Sequence, residues 1–270
     1  MAGGSGERFW PMSRARVPKH LLQLFSGRTL LEETVRRIGT AVPRENIFVL
    51  TNEAQLPGTR RALQGLVPDE QIVAEPAKRD TAPAAALATA LVRARAGDSA
   101  TLALLPADAF IANGQMFEAQ LGVALREAAN GNSLLTFGVK PAFPSTAFGY
   151  LELEPAGGQK LGTFTIRKAR RFVEKPDRTT AEQYVAGGNH VWNAGMFVWS
   201  VAAFLAEASV NAPELATFIR EFPPGDFGGY IAQRFPTLPK ISVDYAIMEK
   251  ARSVETLLAE FDWDDVGLWT

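Results

Sequence analysis

Ile47-Phe48-Val49-Leu50, Gln71-Ile72-Val73-Ala74, Thr101-Leu102-Ala103-Leu104-Leu105 and Ser133-Leu134-Leu135-Thr136-Phe137 are four short runs of β-branched and aliphatic residues. Each has the length and apolar continuity of a strand covered on both faces. Between them, Glu53 to Leu66, Thr81 to Arg95 and Gln115 to Asn130 have helical length and composition. Strands alternating with helices predict a β-α-β-α unit with parallel pairing and right-handed crossovers. Ligands then gather at the carboxyl ends of the strands.

Beyond Gly138 the pattern changes. Gly149 to Glu154 and Phe164 to Glu174 alternate like longer strands, and Thr180 to Gly187 and Val201 to Ala208 read as helices. This half predicts a mixed α+β lobe. No stretch has linker composition and no repeat is visible, so residues 1–270 are expected to form one domain. Its halves, 1–138 and 139–270, would flank a cleft.

The chain has 270 residues, 47% of them apolar, enough for a large core without staples. With no cysteine, thiolate metal sites, disulfides and cysteine nucleophiles are excluded, which fits a reducing cytoplasm. A net charge of −1 gives no overall field to draw nucleic acid or an anionic membrane. The longest apolar or small run, Ala82 to Val92, is far short of the roughly 20 residues of a membrane span. No secretory signal opens the chain.

At the N-terminus, Ala2-Gly3-Gly4-Ser5-Gly6-Glu7-Arg8 places three glycines in four positions. Successive N–H groups can turn toward a phosphate there, and no side chain blocks its approach. Arg8 and Lys19 add positive charge, and Trp10-Pro11 and Pro18 stiffen the chain between them. The spacing meets neither the Walker loop nor the dinucleotide fingerprint. A glycine-rich loop of this kind normally follows a strand. A strand missing ahead of Met1 is therefore expected, with a second cut after Thr270.

Ala-Gly-Gly-Ser-Gly-x-Arg with Pro18-Lys19 resembles the signature of the sugar-nucleotidyltransferase family. The resemblance recurs at Glu75-Pro76 with Asp80-Thr81-Ala82-Pro83, Leu105-Pro106-Ala107-Asp108, Phe148-Gly149-Tyr150 and Phe172-Val173-Glu174-Lys175-Pro176. It continues at Trp192-Asn193-Ala194-Gly195, Ser242-Val243-Asp244-Tyr245 and Asp262-Trp263-Asp264-Asp265. It implies an α/β, Rossmann-like fold with a mixed, mainly parallel sheet flanked by helices and a smaller α+β sugar-binding lobe.

The resemblance also implies roles. Ala2, Gly3, Gly4, Ser5, Gly6, Glu75, Asp80 and Thr81 would bind the nucleotide. Arg8, Lys19 and Lys175 would neutralise the reacting phosphates, and Gly149, Glu174, Asn193 and Asp244 would line the sugar. Asp108 and Asp265 would hold Mg2+. Arg8-Phe9-Trp10-Pro11-Met12-Ser13-Arg14 points to the guanylyl branch, with GTP and mannose 1-phosphate as substrates, no nucleic-acid or membrane partner, and a homodimer as an expected assembly. A uridylyl or thymidylyl enzyme acting on glucose 1-phosphate, or a non-catalytic sugar-nucleotide binder, are the alternatives.

Several of these residues have ordinary readings as well. Asp108 could cap a helix or turn, Asp262 to Asp265 could be a solvated acidic turn, and Asn193 could be a loop amide. Asp244 could cap the helix Tyr245 to Lys250. Pro176 is expected to hold Lys175 in extended backbone. Asp80 stands where the family has asparagine and cannot donate to a guanine carbonyl oxygen. The aromatics Trp192, Phe197 and Trp199 alternate like core strand residues, and His20 and His190 read as packing or surface residues.

Overall fold

In the computed structural model, residues 1–4, 12–14, 17–39, 41–155 and 157–267 are described. The chain order is α1 (Leu30–Arg37), β1 (Val49–Asn52), α2 (Leu56–Ala62), β2 (Ile72–Glu75), α3 (Thr81–Ala96), β3 (Thr101–Leu104), β4 (Phe110–Ile111), α4 (Gly114–Asn130) and β5 (Leu134–Val139). There follow β6 (Tyr150–Leu153), β7 (Gln159–Leu161), β8 (Phe164–Val173), α5 (Arg178–Gly187), β9 (His190–Ser200), α6 (Val201–Asn211), α7 (Pro213–Arg220), α8 (Gly228–Arg234), β10 (Val254–Leu258) and β11 (Trp263–Asp264). The expected strands and helices of the first half are present with shifted ends. Helix starts are set by side chains that accept from early backbone N–H groups. Thr29 and Glu32 form a reciprocal box at α1, Asn113 caps α4, Asp177 α5 and Ser200 α6.

β1 and β2 pair in parallel, Val49 opposite Ile72 through Asn52 opposite Glu75. The larger sheet runs β10-β5-β9-β6-β8-β7, and β3 joins it along β9. β10 also pairs with β8, so the pairings β10-β5-β9-β6-β8 return to their start. The sheet is mixed, as expected, but its parallel share is smaller than the first half suggested. Among the described residues only β1–β2 and β5–β10 pair in parallel. Among those residues β1 and β3 also have no full strand between them, which leaves β1 and β2 as a separate ribbon.

Side-chain alternation distributes the core over two faces. Leu134, Phe197 and Trp199 pack into one cluster with α3, α6 and α7; Leu135, Phe137, Met196 and Val198 pack into the other with α1 and α4. Helix α3 is buried at every position from Ala82 to Leu91, because its alanines let it lie close against neighbours on all sides. Trp192, Phe197 and Trp199 are core residues of β9, at 5%, 2% and 0% exposure. Among the described residues no helix is long and apolar enough to cross a membrane.

Candidate active site

The end of β1 holds the start of the glycine-rich loop by its carbonyl groups. Thr51 Oγ1 donates to the Ala2 carbonyl at 3.1 Å, Asn52 Nδ2 to Gly3 at 3.3 Å and Gln55 Nε2 to Gly4 at 3.2 Å. Among the described residues nothing accepts from the Gly3 and Gly4 N–H groups. Among the described residues nothing would stand within 4 Å of a Cβ added to Gly4, so the space beside its backbone is open there. Glu75, at the end of β2, lies beside Gly3, and burial pushes its carboxyl up to about 7 against the opposing pull of the N-terminal amine. Ser5, Gly6 and Arg8 lie outside the described residues.

Lys19 sits on a short 3-10 turn and is 6% exposed. Its Nζ is 3.0 Å from Asp108 Oδ2 and also donates to the backbone carbonyl of Asp265. The pairing of β4 with β11 explains the meeting: it sets Asp264 opposite Phe110, which brings the turn after β3 to the far end of the chain. Asp108 lies past the carboxyl end of β3 and caps no helix. Asp265 accepts from Gly267 N at 3.0 Å. His20, buried next to Lys19, is held down at about 4 by burial, with the Asp108 charge opposing, so it is neutral at pH 7. Among the described residues no group of three or more His, Asp and Glu gathers as a metal cage.

A second cluster surrounds a pocket of about 400 Å³ lined by Asp80, Thr81, Glu174, Lys175, Asp244 and Tyr245, with Lys240 and Ser242. Lys175 Nζ lies 2.8 Å from Glu174 Oε1, and that hydrogen bond raises the lysine pKa. Asn193 Nδ2 donates to Asp244 Oδ1 at 3.1 Å. Burial, then the Glu174 charge, pushes the Asp244 carboxyl up to about 7. Gly149 belongs to the same group: its carbonyl accepts from Asn193 N at 2.8 Å, and a Cβ there would stand 2.5 Å from Glu174 Oε2. Three neighbouring carboxylates and two lysines around a polar hollow suit a ligand carrying both hydroxyls and a phosphate.

Three expectations change. Asp244 caps no helix; it begins a π-helical turn, Asp244–Met248, and its side chain turns to Asn193 instead. Asn193 belongs to β9, where Oδ1 accepts from Thr136 Oγ1 at 2.7 Å, and is no loop amide. Lys175 has φ 47, so its backbone is left-handed and not extended. The clash with the following proline disfavours the right-handed helical region but does not impose extension. Asp80 (φ 69) and Val266 (φ 49) are the other non-glycine residues in this region among those described. All three stand in or next to the candidate site, where backbone strain commonly collects.

Asp80 and Thr81, expected beside the base, line the same pocket as the sugar set; Glu75 lies with Gly3 instead. Asp80 Oδ1 accepts from Thr81 N at 2.8 Å, which starts α3. Ser242 and Tyr245 stand in a quoted motif but were given no role, and Lys240, Thr136, Asn52 and Gln55 were not assigned to the site from the sequence. Asn52 and Gln55 follow a buried strand, where polar side chains face a site, and that was their only signal.

A family model described as "Nucleotidyl transferase" matches residues 1–270. A mannose-1-phosphate guanylyltransferase from Sinorhizobium fredii (strain NBRC 101917 / NGR234) is 35% identical over 275 residues, covering 100% of this chain and 52% of the relative. One from Klebsiella pneumoniae is 36% identical over 275 residues, covering 100% of this chain and 58% of that protein. The chain thus spans little more than half the length of these curated relatives. A solved structure named mannose-1-phosphate geranyltransferase, from Thermus thermophilus, superposes with a TM-score of 0.86 at 33% identity over 100% of this chain and 75% of that one. With a match along its whole length, the chain belongs to the nucleotidyl transferase family.

Proposed function

We propose that the chain transfers GMP from GTP to mannose 1-phosphate, giving GDP-mannose and pyrophosphate. The observation that carries the reading is the pair of cationic poles, Lys19 beside Asp108 and Lys175 beside Glu174. The names of the relatives support the choice of base and sugar. In this reading residues 1–138 hold the nucleotide and residues 139–270 the sugar phosphate.

The reaction joins two polyanions. A phosphate oxygen of the sugar phosphate attacks the α-phosphorus in line, a P–O bond forms, and the bond to the departing pyrophosphate breaks. No covalent enzyme intermediate is needed, so the protein's task is positioning and charge neutralisation. Lys19, with Arg8 and the Ala2 to Gly6 amides, binds the departing phosphates, and Lys175 holds the attacking one. Asn193, Glu174 and Asp244 take the sugar hydroxyls. Asp244, its carboxyl pushed up to about 7, can donate when it holds its proton, whereas a carboxylate such as Glu174 accepts.

Mg2+ binds hard oxygen donors and usually keeps waters, so one or two carboxylates beside substrate phosphates suffice. Asp108 by its carboxylate and Asp265 by its backbone carbonyl both meet Lys19, and the two side chains would supply the oxygen donors that hold the ion. When bound, the ion would offset phosphate charge at the transfer point. Pyrophosphate release measured with each nucleotide and each sugar 1-phosphate, with and without magnesium, tests the assignment. Turnover is expected with GTP and mannose 1-phosphate; silence there, with turnover on UTP and glucose 1-phosphate, would overturn it.

A further inference from the structure

The two poles of the proposed reaction stand on separate parts of the backbone. Asn193 is in β9 and Gly149 just ahead of β6, both in or beside the large sheet, whereas Asp265 follows β11. Backbone bonding fixes Asn193 against Gly149 directly, since Asn193 N donates to the Gly149 carbonyl at 2.8 Å. Among the described residues β11 pairs only with β4, and no ladder joins it to the large sheet. Its place against the sugar side is set by side chains.

Three rings span the gap. Trp192, next to Asn193, meets Phe148, next to Gly149, edge to face, with centroids 5.1 Å apart and planes at 71°. Phe148 meets Trp263 in the same manner at 5.4 Å and 66°. Trp263 lies opposite Ile111 in the β4–β11 pair, two residues before Asp265, whose carbonyl accepts from Lys19. Such pairs are directional, because the positive edge of one ring faces the negative face of the next. The loop bearing Phe148 is itself held: Ala147 N donates to Ser145 Oγ at 3.2 Å, and Tyr150 OH to the Ser145 carbonyl at 3.0 Å. The indole N–H groups of Trp192 and Trp263 are buried, and among the described residues no group accepts from either. A buried donor without an acceptor is unfavourable, so it is the ring contacts, and not hydrogen bonding, that account for these two tryptophans.

We propose that Trp263 is a positioning residue: through Phe148 it holds the Gly149–Asn193 side at the distance from the Lys19–Asp108–Asp265 side that in-line transfer needs. The inference rests on the two-pole reaction proposed above. Each pole has bonds of its own, Asn193 with Thr136 and Asp244 on one side, Lys19 with Asp108 on the other. Each therefore keeps its grip on its ligand when the ring between them is lost, and what goes is their alignment. A misplacement of about 1 Å costs on the order of 100-fold in rate. The signature is a fall in kcat with little change in either KM.

The test compares Trp263→Phe, Trp263→Leu and Phe148→Leu with the parent chain. Phenylalanine at 263 keeps an aromatic ring for Phe148 and deletes the unpartnered donor, whereas leucine keeps apolar bulk without a ring. Both leucine variants are expected to lower kcat about 10-fold to 100-fold, with KM for GTP and for mannose 1-phosphate each within about twofold of the parent, and Trp263→Phe to recover most of the loss. Amide exchange in residues 147–149 should quicken about tenfold in Trp263→Leu and stay near the parent in Trp263→Phe. Phe148→Leu removes the same contact from the loop side and decides the matter if Trp263→Leu does not fold. A parent that turns over a different nucleotide and sugar phosphate would overturn the proposed substrates but not the positioning role, which is then read on that pair. With a parent inactive on every pair, the exchange measurement decides. Unchanged kcat in the folded leucine variants, a raised KM with kcat intact, or exchange at 147–149 indifferent to the ring would overturn the role of Trp263.

Discussion

Asp244 shows how one side chain can be read wrongly from its neighbours. Ahead of Tyr245-Ala246-Ile247 it looks like a helix cap, yet its Oδ1 faces Asn193 Nδ2 at 3.1 Å and its carboxyl is pushed up to about 7 by burial and Glu174. A carboxyl whose folded pKa is raised binds its proton more tightly in the native state. Its stabilising influence is therefore complete at low pH and is lost as pH rises from about 4 to about 7. Asp244→Asn keeps the bond from Asn193 and removes the titration. Urea unfolding should find the variant close to the parent at pH 4.5 and roughly 2 to 4 kcal/mol more stable at pH 8, with weaker sugar-phosphate binding. Parallel stability curves would mean that burial does not set this proton. Lys175 carries a related lesson. The proline after it is plain in the sequence, but the left-handed turn at φ 47, with Nζ 2.8 Å from Glu174 Oε1, is announced by no local pattern.

β9 is the element that places the sugar pole. Its register sets Asn193 opposite Gly138 of β5, and a bulge between Thr136 and Gly138 lets the Thr136 hydroxyl reach Asn193 Oδ1 at 2.7 Å and the Met196 carbonyl at 2.9 Å. The alternation of Trp192, Phe197 and Trp199 revealed a strand here, while the bulge that orients Asn193 was invisible because it depends on the partner strand. Thr136→Val keeps the shape and deletes the hydroxyl. The expected outcome is a loss of about 1 to 2 kcal/mol in stability and a KM for the sugar phosphate raised about tenfold, with kcat changed much less. A steady-state comparison of the two parameters checks it; an unchanged KM would show that Asn193 needs no support from β5.

For the molecule as a whole, the alternating first half was legible because its strands are continuous apolar runs. The small share of parallel pairing was not, because it follows from β9 running antiparallel to β3, β5 and β6, which no local residue pattern announces. The loop chemistry could be read at Gly3 and Gly4, but the tying of their carbonyls to Asn52 and Gln55 could not. Long-range closure was the hardest part to foresee. Lys19 meets Asp108 and Asp265, residues spread along nearly the full chain, only because β4 pairs with β11.

That closure gives Lys19 a structural share as well as a proposed catalytic one, and the two separate by size. Removing the buried ammonium should cost about 1 to 3 kcal/mol of stability, since Asp108 remains partly exposed to water. Losing a charge aimed at the departing phosphates should cost about 100-fold to 1,000-fold in kcat. The deciding measurement is pyrophosphate release from GTP and mannose 1-phosphate by Lys19→Ala beside the parent chain, with thermal unfolding recorded on the same samples. A folded, cooperatively unfolding variant with turnover down by about two to three orders of magnitude is the result expected. Full turnover in a folded Lys19→Ala chain would contradict a catalytic role for this lysine.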